Sequence, residues 1–404
     1  MKKVLVLGAG LVAGPLVRYL LDVGSFFVTV ASRTVEKAQA LLGGASNGQA
    51  LALNVKDEAA LEALIAAHDL SISLLPYAYH PKVAALCVKH RCQMVTTSYV
   101  KPEMQALDGE AKAAGVILLN EIGVDPGIDH MSAMEVIHRI KAQGGRLVSF
   151  TSNTGGLPSP EANTNPFGYK FSWAPRGVVL AGKNPARYLN DGQVVDVPGP
   201  ELFSHHWPCP IVGFGELEVY PNRDSMPYTK AYGIPEVTSM FRGTLRYPGW
   251  CETMKALVDL GWLDETEREE IRGLTYRQLL ARMLGSGTEE LRSRLASFLQ
   301  VHPDGEVVRK LDWLGLLSDD PIPTTDTTYL DVLASRMLAK MTYAPGERDM
   351  LVMQHEFIVE HADRTERIIS TMVDYGIPHG DTSMSRLVGL PAAIAARMIL
   401  QGEI

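Results

Sequence analysis

The glycine-rich turn near the N-terminus constrains the fold of this chain more than any other feature. Gly8-Ala9-Gly10-Leu11-Val12-Ala13 has GxGxxA spacing and lies between the apolar run 4–7 and residues 11–21, whose apolar side chains have helical spacing. In such a turn the first glycine permits a tight bend, the second lets the backbone approach a pyrophosphate, and the small third residue lets the helix pack on the strand. A glycine turn that binds nothing is the alternative, but the strand–turn–helix context favours a dinucleotide site.

The first 120 residues alternate between short apolar runs and helical patterns, which predicts a parallel, doubly wound sheet. We expect strands at 4–7, 28–31, 50–53, 70–75, 94–97 and 116–119, and helices at 11–21, 35–42, 58–67 and 103–113. The fold class expected is therefore α/β, with residues 1–125 forming a Rossmann-type dinucleotide-binding domain.

The end of the second strand selects between the two nicotinamide dinucleotides. An NAD site has an acidic residue there, about 20 residues past the glycines, to bind the ribose hydroxyls. This chain has Ser32-Arg33-Thr34 instead. Arg33 can pair with a ribose 2′-phosphate, to which Ser32 and Thr34 can donate hydrogen bonds. The pattern favours NADP, the alternative being a surface arginine that opens the next helix.

The sequence pattern changes after Asn120. A turn-dense segment, 123–129, is followed by short strands among glycine, proline and aromatic residues, then by a charged helical stretch, and then by strand-like alternation. From these changes we expect a mixed α/β substrate domain, a helical insertion and a C-terminal helix that packs back on the first domain. Their expected boundaries are 126–248 with 345–387, 249–344, and 388–404.

Composition excludes several function classes. The formal net charge of −8 argues against a nucleic-acid or anionic-membrane binder. The four cysteines are scattered, as is typical of buried thiols in a reducing compartment. Glycines and Pro15 interrupt the apolar N-terminal run, and we find no uncharged stretch of the ~20 residues that span a bilayer. We expect a cytoplasmic protein with no metal site, since His205, His206 and Cys209 lack a fourth ligand at zinc spacing.

Several polar residues beyond the glycine turn are candidates for substrate binding. Ser98 and Tyr99 follow the fifth strand, at the sheet edge where ligands of this fold bind. Arg223 and Arg246 are expected in short loops, where a guanidinium can bind a carboxylate in bidentate fashion. They are alternatively interdomain ion pairs. His80, which follows the fourth strand, is expected to be a loop histidine, the alternative being a catalytic role.

Many of these segments together resemble the saccharopine reductase family, the glutamate-forming saccharopine dehydrogenases. The resemblance runs over essentially the whole chain. It is carried in order by GAGLVAGP, SISLLPYAYHP, TTSYV, NEIGVDPGIDHM, GGLPSPEANTNPFGYKFSW, YPNRDS, FRGTLRYPG, WLGLLSD and ERDMLVMQHEF. The family implies a Rossmann-type domain, a mixed substrate domain and a helical insertion.

The resemblance also implies roles for individual residues. Cofactor contacts are expected from Gly8, Ala9, Gly10, Leu11, Val12, Ser32, Arg33, Thr34, Asn54, Val55, Leu75, Thr97, Val124, Asp125, Pro126 and Ser172. Substrate contacts are expected from Ser98, Tyr99, Asp125, Arg223, Thr244, Leu245 and Arg246. Two departures stand out: a cysteine of the family pattern is Thr154 here, and an acidic residue often found at position 54 is asparagine.

The reaction that the resemblance implies is the condensation of L-glutamate with 2-aminoadipate 6-semialdehyde and reduction of the imine by NADPH to saccharopine. Asp125 is expected to stabilise the protonated amine and Tyr99 to hold or relay a proton, although either residue can instead serve the local structure. The family suggests a homodimer. The alternatives are a carboxynorspermidine-type or opine-like dehydrogenase, and a non-catalytic NADP-binding module.

Overall fold

The structure is a computed structural model that describes residues 1–173 and 175–404. The chain divides into two compact units. The N-terminal unit comprises Met1–Met134 and Gly380–Ile404, and the second unit comprises Glu135–His379. Each unit is described in turn.

A six-stranded parallel sheet forms the centre of the N-terminal unit, with strand order β3-β2-β1-β4-β5-β6. Its strands are β1 (Lys2–Leu7), β2 (Phe26–Ser32), β3 (Gly48–Ala52), β4 (Leu70–Ser73), β5 (Gln93–Thr96) and β6 (Leu118–Leu119). This order is that of the Rossmann fold. The strands are added outward from β1 on one side and from β4 on the other, and dinucleotides bind at the switch point between β1 and β4. The α/β expectation is confirmed.

Both faces of this sheet are covered, which explains why its strands are apolar without alternation. The helices are α1 (Ala13–Asp22), α2 (Val35–Leu42), α3 (Glu58–Ala66), α4 (His80–His90), α5 (Pro102–Gln105) and α6 (Asp108–Ala114), followed by α7 (Ile128–Ala142), which contains the unit boundary. Along β1, Val4 and Val6 belong to one core cluster, while Leu5 and Leu7 belong to the other. Such a strand must be apolar on both sides.

The C-terminal helix belongs to the N-terminal unit. The helix expected within 388–404 spans Ser383–Gln401, and Ala392, Ala393 and Ala396 are fully buried in the core that also contains the apolar side chains of α1. By length and hydropathy it is the one helix in the described part of the chain that could cross a membrane, but half of its most apolar window is buried. Its packing is that of a core helix.

The second unit is built on an eight-stranded mixed sheet. Its strands are β7 (Arg146–Pro158), β8 (Ala186–Asn190), β9 (Gln193–Val197), β10 (Trp207–Ile211), β11 (Gly215–Pro221), β12 (Ser239–Arg246), β13 (Asp349–Glu360) and β14 (Thr365–Tyr375). The main path runs β10-β11-β12-β7-β13-β14, and β8 and β9 extend from β12. Among the described strands of this sheet, β12 and β7 are the one parallel pair. A mixed sheet agrees with the fold expected for this region.

Helices cover this sheet and share its core. They are α8 (Pro175–Leu180), α9 (Pro227–Ala231), α10 (Trp250–Asp259), α11 (Tyr276–Met283), α12 (Leu291–Leu299), α13 (Glu306–Leu314) and α14 (Tyr329–Lys340), with the C-terminal helix above being α15. The segment 249–344 is helical, and its buried Trp250, Leu279 and Leu311 lie in one core cluster with Val219 of the sheet. Helical segment and sheet therefore form a single compact unit.

Candidate functional site: a dinucleotide turn and a buried arginine

The glycine-rich turn joins β1 to α1 with an open helix terminus. Gly8 has φ +113°, a conformation that favours glycine, and a Cβ there would lie 3.3 Å from the carbonyl oxygen of Leu74. A Cβ at Gly10 would meet no atom within 4 Å. α1 begins after Val12 without a side-chain cap, so its positive end is available to an anion. The turn fits a pyrophosphate.

The residues at the end of β2 fit a phosphorylated ribose. Ser32 is half-buried and its Oγ accepts a hydrogen bond from the Thr34 backbone N–H at 3.3 Å. Arg33 is exposed and forms no ion pair with any described residue. A guanidinium with no ion-pair partner among the described residues, at the strand end where the ribose lies in this fold, suits the 2′-phosphate of NADP.

The other predicted cofactor residues of this unit lie on loops that follow strands of the sheet. Asn54 is exposed and its Oδ1 accepts a hydrogen bond from the Lys56 N–H at 3.1 Å, while Val55 is buried. Leu75 and Thr97, after β4 and β5, are half-buried. Ser172 is buried in the second unit.

The two candidate catalytic side chains are in contact. The Tyr99 hydroxyl donates a hydrogen bond of 2.8 Å to Oδ1 of Asp125. The turn that carries Asp125 is closed by hydrogen bonds from the Gly123 N–H to the Pro126 carbonyl, 2.8 Å, and from the Ile128 N–H to the Gly123 carbonyl, 2.9 Å. A Cβ at Gly127 would lie 2.1 Å from the Gly123 oxygen, so this closure requires glycine.

His80 is a buried hydrogen-bonding residue, and the expectation of a loop histidine was wrong. It is the first residue of α4, is 2% exposed, and contacts Ser73 Oγ through Nδ1 at 3.0 Å and Ser98 Oγ through Nε2 at 2.9 Å. Burial, with a smaller effect of the Lys101 charge, lowers the pKa of His80 to about 4. The sequence signal was slight: His80 follows an apolar strand and precedes Pro81, a residue typical of a helix start.

Arg246 in the second unit has a buried guanidinium. It is the last residue of β12 rather than part of a loop, because its strand pairs with β11 as far as Glu218. The residue is 5% exposed, and its guanidinium carbon lies 5.0, 5.8 and 5.5 Å from the ring centroids of Tyr169, Tyr220 and Trp250. We call Arg246 and these three rings the arginine box.

The protein supplies little to neutralise the charge in the arginine box. Nη1 of Arg246 donates to the Leu245 carbonyl at 2.7 Å, Nε has no hydrogen-bond partner, and no described carboxylate forms an ion pair with the group. Burial raises the pKa of the Tyr169 and Tyr220 hydroxyls, so neither ring is anionic. Glu218 lies opposite Arg246 in the strand register, but its carboxylate accepts the N–H groups of Gly249 and Cys251.

The other predicted substrate residues of the second unit differ in accessibility. Arg223 is exposed, at φ +56°, and follows Pro221, whose partner on β12 is Gly243. Arg246 lies on β12 three residues beyond Gly243, so Gly243 and Arg246 are on the order of 10 Å apart along the strand. Thr244 is half-buried, whereas the side chain of Leu245 is fully buried, so the predicted substrate contact of Leu245 would be made through its backbone.

Two polar residues that the sequence reasoning did not propose lie next to Thr244. Asn153 and Thr154 are buried on β7, and Thr154 is the register partner of Thr244. Asn153 Oδ1 and Thr154 Oγ1 have no hydrogen-bond partner within residues 1–173 and 175–404. A polar run in an otherwise buried strand was the signal. Among the described residues, no three His, Cys, Asp or Glu side chains group as metal ligands would.

The strand order, the glycine turn and the arginine after β2 together define the class of dinucleotide-binding oxidoreductases. Residues 4–119 match the family of saccharopine dehydrogenase NADP binding domains, and residues 123–404 match the saccharopine dehydrogenase C-terminal domain. The chain belongs to the saccharopine dehydrogenase family, which confirms the resemblance inferred from its sequence segments.

Similar proteins extend this comparison over the whole chain. The chain is 42% identical to saccharopine dehydrogenase [NADP(+), L-glutamate-forming] of Schizosaccharomyces pombe, over 100% of this chain and 92% of that protein. It is 39% identical to the mitochondrial alpha-aminoadipic semialdehyde synthase of Bos taurus, over 100% of this chain and 44% of that protein. A solved saccharopine dehydrogenase (L-Glu forming) from Saccharomyces cerevisiae superposes with a TM-score of 0.88, at 40% identity, over 100% of this chain and 92% of that one.

Proposed function

We propose that this chain is an NADP-dependent saccharopine reductase. It condenses L-glutamate with 2-aminoadipate 6-semialdehyde, with loss of water, and reduces the resulting imine to saccharopine; the reverse reaction oxidises saccharopine. It is an oxidoreductase acting on a CH–NH bond in lysine metabolism. Full-length similarity to NADP-dependent, L-glutamate-forming saccharopine dehydrogenases supports this function.

The observation that carries the substrate assignment is the arginine box. A guanidinium that is removed from water and has no carboxylate partner among the described residues is energetically costly, and an anionic ligand would offset the cost. Saccharopine has three carboxylates. We assign one carboxylate to Arg246 and a second to the exposed Arg223. Thr244 and the Leu245 backbone form hydrogen bonds to the carboxylate that Arg246 binds.

The Tyr99–Asp125 pair serves the reacting amine. The Asp125 side chain stabilises the positive charge of the iminium or the protonated secondary amine, and the Tyr99 hydroxyl, 2.8 Å from Oδ1, fixes the orientation of that side chain. Ser98, next to Tyr99, binds the substrate. NADPH, when bound, supplies the hydride. Because the substrate amine itself carries protons, we propose that the pair chiefly orients and stabilises charge.

The cofactor is bound, in this proposal, by the glycine turn, the residues after β2 and the loops after the other strands. These residues are Gly8, Ala9, Gly10, Leu11, Val12, Ser32, Arg33, Thr34, Asn54, Val55, Leu75, Thr97, Val124, Asp125, Pro126 and Ser172. We further propose that residues 1–125 form the NADP-binding domain, that the mixed sheet binds substrate, and that the enzyme is a cytoplasmic homodimer.

Nicotinamide absorbance with saccharopine tests the proposal. Purified protein is mixed with saccharopine and either NADP or NAD at equal concentration. We expect rapid reduction of NADP and poor reduction of NAD, because Arg33 pairs only with the 2′-phosphate. Reduction of neither, in a protein whose melting temperature still rises with NADP, would refute the substrate assignment and favour a polyamine-type dehydrogenase or a binding module.

A further inference from the structure

A buried chain of hydroxyl and imidazole groups lies beneath Ser98 in the N-terminal unit. It connects Ser73 Oγ to His80 Nδ1, at 3.0 Å, and His80 Nε2 to Ser98 Oγ, at 2.9 Å. Thr96 Oγ1 is also 3.3 Å from His80 Nε2, and the Thr96 hydroxyl donates to the Ser73 carbonyl at 3.0 Å. Ser73, His80 and Thr96 are buried, whereas Ser98 is half-buried.

Counting donors along this chain assigns the imidazole tautomer. The Thr96 hydroxyl proton is used on the Ser73 carbonyl, so Thr96 Oγ1 can only accept from His80. Nε2 must therefore carry the proton, and Nδ1 accepts the proton of the Ser73 hydroxyl. In the opposite tautomer the fully buried Ser73 hydroxyl would have no acceptor among the described residues, which is costly.

This tautomer determines what Ser98 offers to a ligand. Its oxygen accepts the Nε2 proton of His80 at 2.9 Å, and His80 is the one described partner of that hydroxyl. The Ser98 proton is left to donate away from the imidazole. We propose that His80 is a positioning residue which holds the Ser98 hydroxyl as a hydrogen-bond donor toward a substrate carboxylate.

The role requires a neutral imidazole, because a doubly protonated ring would leave Ser73 no acceptor at Nδ1. Burial supplies this condition, since the pKa of His80 is lowered to about 4. The nearby positive charge is Lys101, whose Nζ lies 3.6 Å from the Tyr77 ring centroid. The tautomer is independent of the proposed function, and only the identity of the group that accepts the Ser98 proton, a carboxylate of saccharopine, rests on that function.

Nitrogen NMR of histidine-labelled protein tests the tautomer directly. The chain has 11 histidines, and the resonances missing from a His80→Gln variant identify His80. We expect the long-range correlation pattern of a neutral ring protonated at Nε2 from pH 6 to 8. A ring protonated at Nδ1, or at both nitrogens, would overturn the proposal whether or not the protein oxidises saccharopine.

A double-mutant cycle tests the functional link. Because a hydrogen bond to a charged group is lost, Ser98→Ala should raise the KM for saccharopine about tenfold, with the Kd for NADP unchanged. His80→Leu should raise the KM for saccharopine by a similar factor in the otherwise wild-type protein. In the Ser98→Ala background it should raise that KM no further. His80→Gln, whose amide can still donate to Ser98, should restore most of the affinity. Multiplicative effects of the two substitutions would overturn the proposal.

The outcomes separate this proposal from the proposed function. If the wild-type protein fails to oxidise saccharopine, the function is refuted but the NMR result still decides the tautomer. If His80→Leu does not fold, His80→Gln is compared with the wild type. A tenfold rise in the KM for saccharopine of His80→Gln, with an unchanged Kd for NADP, would contradict rescue by the amide donor and overturn the proposal.

Discussion

Replacement of Arg246 by methionine separates a substrate-binding role from a structural one. A carboxylate bound by two guanidinium hydrogen bonds, each of about 1.5 kcal/mol or more, contributes about 3 kcal/mol, or roughly a hundredfold in binding. We therefore expect Arg246→Met to lower kcat/KM for saccharopine about a hundredfold, mainly through KM. The Kd for NADP should not change, because the glycine turn and Arg33 belong to the N-terminal unit and the arginine box belongs to the second.

The stability of Arg246→Met should change little. The variant loses contacts of the guanidinium with three rings, at about 0.5 to 2 kcal/mol each. It also removes a buried charge that has no ion-pair partner in the described part of the chain and whose desolvation costs several kcal/mol, and it keeps most of the side-chain volume. We expect the free energy of unfolding to stay within about 2 kcal/mol of the wild type.

Saccharopine-dependent reduction of NADP and urea denaturation give the two readouts. Arg277→Met is the matched control, because Arg277 forms an exposed ion pair with Asp319 in the helical segment and should change neither quantity appreciably. A loss of 4 kcal/mol or more in unfolding free energy, with an unchanged KM, would refute the reasoning. Arg246 would then be a structural cation.

Three further predictions address the cofactor, pH and packing. Arg33→Ala should raise the KM for NADP about a hundredfold and leave the KM for NAD unchanged, which initial rates with each cofactor would measure. Equal effects on the two KM values would contradict the assignment of Arg33 to the 2′-phosphate. Because burial lowers the pKa of His80 from 6.5 to about 4, the unfolded chain binds a proton that the folded protein excludes. His80 should thus contribute a fall of about 3 kcal/mol in the unfolding free energy as the pH drops from above 6.5 to 4, measured by urea titration as the difference between the wild type and His80→Gln. Gly389→Ala should destabilise the protein by about 1 to 3 kcal/mol, since a Cβ there would lie 2.7 Å from the Val12 oxygen. The control Gly109→Ala, with no atom within 4 Å, should be neutral or stabilising by thermal denaturation.

Features that depend on neighbouring residues could be predicted from the sequence. The apolar run of β1, the glycine turn and Arg33 lie within 33 residues, and each takes its meaning from its position along one strand–turn–helix–strand unit. The expectation of NADP followed from the residue types at the end of β2. The resemblance over the whole chain then identified the family without any contact being known.

Features that depend on distant residues were decided by the tertiary structure. Arg246 belongs to a strand rather than a loop because it pairs with β11, and its burial depends on Tyr169, 77 residues earlier in the chain. His80 became a buried hydrogen-bonding residue because β5 brings Thr96 and Ser98 beside it. Burial, strand register and side-chain direction arise from non-local packing, and no local pattern of residue types encodes them. The sequence alone thus determined the fold class, the cofactor and the family, whereas packing decided which polar groups are buried and which side chains hydrogen-bond to them.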